Sequence, residues 1–140
     1  MSSEESDGVQ VPDVFIYDEM DFDKPPKVKS EKIRKMIEQT DVDGLKRKKI
    51  LRGQGGFFMN RSVMPPGFRV PEHSHSHSEF IMVMKGGCTF DDGTVLTQDD
   101  TIVINAHYRY GFTMGDEGMD FVTVRTGEAA VTMDGETTTT

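Results

Sequence analysis

Hydrophobic and polar positions change rhythm at about residue 46. Beyond it, short β-branched and aromatic stretches alternate with turns at Gly53-Gln54-Gly55-Gly56, Pro65-Pro66-Gly67, Lys85-Gly86-Gly87, Asp91-Asp92-Gly93 and Gly115-Asp116-Glu117-Gly118. This punctuation predicts strands near 48–51, 57–63, 69–75, 79–84, 89–90 with 94–96, 101–104, 108–113 and 120–125. Regular short strands of this kind predict an all-β sandwich or barrel. Ahead of residue 46 the pattern is sparser. Asp13-Val14-Phe15-Ile16-Tyr17 has the character of a strand, and Ser30 is placed to cap a short helix over 31–39 whose Ile33, Met36 and Ile37 share one face. Residues 1–11 and 130–140 lack periodicity and are read as flexible tails, leaving 12–129 as the folded unit.

A chain of 140 residues with these elements has room for one core and no second domain. Its 24 acidic against 16 basic residues give a formal charge of -8, which argues against nucleic acid and against an anionic membrane surface as partners. The start, MSSEESDGVQ, is acidic where a secretion signal is basic and then apolar, and no apolar stretch reaches membrane-spanning length. A cytoplasmic location is expected. The single cysteine, Cys88, forms no internal disulfide and reads as a small apolar packing residue.

The chemistry concentrates in Gly67 to Gly86, GFRVPEHSHSHSEFIMVMKG. Residues two apart on a strand share a face, so His73 and His75 can point into one cavity, with Glu79 joining from the next strand. Clustered imidazoles beside a carboxylate suggest a metal. The apolar run Phe80 to Met84 follows directly, which sets the tract apart from a tag or a solvated histidine-rich loop.

Gly67, His73, His75, Glu79 and Gly86 match every spacing of the first motif of the cupin superfamily, G-x5-H-x-H-x3-E-x6-G, and the chain resembles that family. The segment from Gln98 to Phe112 resembles its second motif but departs from it at three places. Asp99 stands for a glycine, Asn105 for a proline, and Tyr110 for the last metal-binding histidine. The resemblance implies a single cupin jelly-roll barrel with a short N-terminal helix. It also implies a metal at His73, His75 and Glu79, with Fe(II) favoured and Mn, Ni or Zn as alternatives.

Without a fourth ligand, two histidines and one carboxylate form the set of non-haem iron oxygen chemistry. The first expectation is therefore a dioxygenase acting on a small organic substrate. A lyase, isomerase or cyclase using Lewis-acid chemistry with Tyr110 as acid or base is the second, and a non-catalytic ligand-binding cupin the third. Tyr110 is open between a phenolate ligand and a hydroxyl near the metal that handles protons or orients substrate. Arg69, His77, Ile81 and Phe112 are candidate substrate contacts: Arg69 for an anionic group, His77 as a turn residue at the rim, Ile81 and Phe112 as apolar lining. His107 reads as solvent-facing or backbone-bonded. A homodimer is expected, because the strand around Val14 to Tyr17 and the apolar helix face need burial.

Overall fold

The computed structural model describes residues 8–23, 31–32, 35, 45–128, 130–133 and 136–139. Nine strands make one antiparallel sheet: β1 (Lys46–Arg52), β2 (Phe58–Met64), β3 (Arg69–His75), β4 (Glu79–Phe90), β5 (Val95–Leu96), β6 (Thr101–Ile104), β7 (Tyr110–Arg125), β8 (Ala130–Met133) and β9 (Glu136–Thr139). The predicted strands at 69–75 and 101–104 coincide with β3 and β6. Those expected at 79–84 and 89–90 are one long strand, as are those at 108–113 and 120–125. The glycines read as turns at 86–87 and 115–118 lie inside these strands, at bulges. Gly86 (φ 75) and Gly118 (φ 69) face each other across the β4–β7 pair, where a Cβ on Gly86 would strike the carbonyl oxygen of Gly118. The register shifts there, between Val83 and Lys85 and again between Gly86 and Cys88. Only glycine tolerates this approach together with the left-handed backbone, and the bulges let both strands bend without ending.

That bend organises the molecule. The β4–β7 ladder runs from Glu79 opposite Arg125 to Phe90 opposite Phe112. The other edge of β7 pairs with β2 over residues 119–125 and with β3 near Tyr110–Thr113. The order β1-β2-β7-β3-β8-β9, with β4 carrying β5 and β6, leaves the sheet open among the described residues, where the sequence suggested a closed barrel. Its core is Val70, Ile81, Val83, Phe90, Leu96, Ile104, Phe112, Met114, Met119 and Phe121, with Cys88 packed among them.

Both ends depart from expectation. Residues 13–16 make no strand: Val14 and Ile16 are exposed, and a 3-10 turn follows at Tyr17–Glu19. The segment docks through Lys48 of β1, which is buried, donates to the Tyr17 carbonyl (2.7 Å) and lies 3.9 and 4.6 Å from the ring centroids of Tyr17 and Phe22. The helix expected over 31–39 falls mostly outside the described residues. The C-terminal stretch read as flexible forms the β8–β9 hairpin, and β8 pairs with β3 at Ser74 opposite Thr132 and His75 opposite Val131. No described helix is long and apolar enough to cross a membrane.

Candidate functional site

The end of β3 presents His73 and His75, 5 and 8 % exposed, with their Nε2 atoms 3.1 Å apart and their rings perpendicular at a centroid distance of 4.8 Å. Nδ1 of His73 lies 2.8 Å from the Pro71 carbonyl oxygen, which only accepts, so Nδ1 carries the proton and the Nε2 of this neutral ring is a bare lone pair. Burial lowers the pKa of His73. It pushes that of His75 down to about 2, aided by the positive charge of Arg125, so both rings are neutral. Nδ1 of His75 is buried with no partner. Without an ion, His75 Nε2–H donates to the bare Nε2 of His73; with the His75 proton moved to Nδ1, two lone pairs converge. A separation of 3.1 Å is what two nitrogens each about 2.1 Å from a common ion show when they subtend roughly a right angle. The histidine pair therefore fits a divalent transition metal.

Glu79, the first residue of β4 and 3 % exposed, is engaged elsewhere. Its Oε1 accepts from the Tyr110 hydroxyl at 2.5 Å and its Oε2 from Nε of Arg125 at 2.6 Å. Register explains the second contact, because Glu79 and Arg125 are directly opposite in the β4–β7 ladder. Both bonds involve an ionised partner in a site shielded from water, where such contacts are strong. The Tyr110 hydroxyl is raised well above its usual range, by burial first and by the Glu79 charge next, which keeps it a proton-bearing donor. Its ring sits 4.6 Å from His73 and 6.1 Å from His75 by centroid and stacks on Phe112, which stacks on Phe90. Tyr110 thus joins the histidine pair to the aromatic core. Among the described residues no three His, Cys, Asp or Glu side chains converge as a ligand group. The set fits a metal through two nitrogens, while Glu79 is held by Tyr110 and Arg125.

The remaining candidates are placed as follows. Arg69 is exposed and spans both oxygens of Asp91, at 2.5 and 2.7 Å, away from the histidines. His77 is exposed in the turn between β3 and β4, its ring against Gly127. Ile81 and Phe112 belong to the packed core. The His107 amide donates to the carbonyl of His75, holding the end of β3 through its backbone, with φ at 70°. Burial pushes the Cys88 thiol up to about 11, the opposite of an activated nucleophile. Arg125 was not foreseen. An arginine ending a strand gives no hint in sequence of facing a carboxylate 46 positions away.

Residues 60–123 match the sequence model of the cupin domain. No curated protein sequence matches the chain. Among solved structures, the polyketide cyclase RemF from Streptomyces resistomycificus is similar with a TM-score of 0.65 at 15% identity, covering 89% of this chain and 86% of that one. KdgF from Halomonas sp. gives 0.61 at 15% identity over 83% and 94%. An RmlC-like cupin from Shewanella frigidimarina gives 0.58 at 18% identity over 79% and 86%. At these identities the likeness concerns the fold.

Proposed function

We propose that this chain, which belongs to the cupin superfamily, is a metal-dependent enzyme of the lyase, isomerase or cyclase class acting on a small molecule. The observation that carries the reading is the Tyr110 hydroxyl on Glu79, a buried proton-bearing pair whose ring packs against two preset imidazole donors. His73 and His75 would hold a divalent transition metal through Nε2. Bound there, the metal would supply Lewis-acid polarisation of a substrate carbonyl or carboxylate.

The chain's own groups supply the rest. Arg125 and Tyr110 both donate to Glu79 and Tyr110 keeps its proton, so the phenol can give that proton to a substrate atom and take one back from the substrate or from water. Phe112 and Phe90 fix the Tyr110 ring and exclude water beneath it. His77, exposed in the turn after β3, would gate entry. Iron dioxygenase activity is the second reading. The histidine pair favours it equally, but it needs Glu79 as a third donor, free of Tyr110 and Arg125. A homodimer belongs to this proposal: Phe80 and Val103 are register partners on the outer face of β4 and β6, and both are exposed.

Elemental analysis of untagged protein, followed by turnover assays with and without oxygen, tests these readings. Metal-dependent turnover that continues anaerobically supports the first. Stoichiometric oxygen uptake would replace it with the second.

A further inference from the structure

A cavity of about 230 Å³ lies between β1, β2 and the end of β7. Leu51 and Phe58 give it apolar walls, while Lys49 and Arg52 of β1 and Arg125 of β7 bring three cations against one lining carboxylate, Glu128. In a chain of formal charge -8 this is a local reversal of sign.

The cations are also underused. Arg52 makes no ion pair with any described residue, and only its backbone amide is engaged, donating to Gln54. Lys49 stands 3.6 Å from Asp23 Oδ2, but that oxygen already accepts from Nε and a terminal nitrogen of Arg47, at 3.1 and 2.7 Å. Burial lowers the Lys49 pKa, and the positive charges of Arg47 and Arg52 act in the same direction. Arg125 spends Nε on Glu79 and leaves its terminal nitrogens without a described partner. A planar fork with two free nitrogens is suited to a carboxylate.

We propose that this cavity binds the carboxylate of a small organic acid between Arg52, Lys49 and the free end of Arg125, with the acid's apolar part against Leu51 and Phe58. The inference rests on the reading of a small-molecule site and names its substrate class. Arg125 is the physical link, since one guanidinium touches both Glu79 and the cavity. An acid bound there is anchored one side chain away from the Tyr110–Glu79 pair.

Calorimetric titration of the full-length chain, with and without chelator, tests this using benzoate, benzamide as its uncharged counterpart, and inorganic phosphate. Benzoate should bind at least about tenfold more tightly than either. Arg52→Gln, at an exposed position, should weaken benzoate about tenfold while leaving the melting temperature unchanged, and Lys49→Gln should act in the same direction. Equal affinity for benzoate and benzamide, phosphate binding as tight as benzoate, no benzoate binding, or an Arg52→Gln affinity equal to wild type would each overturn the proposal. His75→Ala separates it from the metal reading. That variant should keep benzoate affinity whatever happens to the metal, and loss of benzoate binding there would place the acid at the histidines instead.

Discussion

The imidazoles of β3 and the carboxylate of β4 come from one short stretch of chain, yet their surroundings treat them in opposite ways. His73 and His75 are neutral, aim Nε2 at each other, and leave Nδ1 of His75 unpartnered. Glu79 has a donor on each oxygen, one of them charged. The first group has a buried nitrogen with no partner, and the second has a donor on each oxygen. Tyr110 accounts for much of the difference: standing where the family's pattern has a histidine, it omits one nitrogen donor and also holds the carboxylate.

The sharpest way to break the comparison is to remove a donor. His75→Ala should abolish stoichiometric metal binding measured by elemental analysis, while His77→Ala should leave it intact. Full metal content in His75→Ala would locate the donors elsewhere.

On the other side of the comparison, Arg125→Leu leaves a buried carboxylate facing no cation and should cost about 3–5 kcal/mol in urea unfolding. Adding Glu79→Gln should recover most of the loss. A cost within the range of an exposed ion pair, below about 1 kcal/mol, would show that water reaches Glu79.

Tyr110→Phe should cost less, about 1–3 kcal/mol for the unpaired Oε1. It should also release that oxygen toward the histidines, so metal affinity by calorimetry should rise while turnover falls. Weaker metal binding would make Tyr110 itself a ligand.

The effect that develops most gradually is a matter of pH. Both histidines have folded pKa values below the ordinary 6.5, that of His75 at about 2, so the unfolded chain binds more protons in between. Their contribution is complete above about pH 6.5 and is lost as pH falls toward 2, with a slope of at most about 1.4 kcal/mol per pH unit for each group. In metal-free protein His75→Phe should flatten that slope between pH 7 and 5, and an unchanged slope would mean that His75 charges freely when folded.

Much of this was legible in the residues, for local reasons. Strands β3 and β6 followed from alternation between firm turn signals, and the placement of His73 and His75 on one face followed from the two-residue period. Gly86 and Gly118 misled, because a glycine pair looks the same in a turn and in a bulge, and only the opposing strand decides. The pairing of β8 with β9 was not legible, because the polar threonine run reads as a tail and only the partner strand decides otherwise. Arg125 had no signal, since the register of two strands far apart in sequence is a property of the whole sheet.

The pairing of β8 with Ser74 and His75 has a consequence for the site. Strand β8 braces the backbone that carries the histidine pair, so a change that loosens β8 loosens the scaffold of the site. Val131→Pro, opposite His75, should lower metal affinity even though no site residue has been changed.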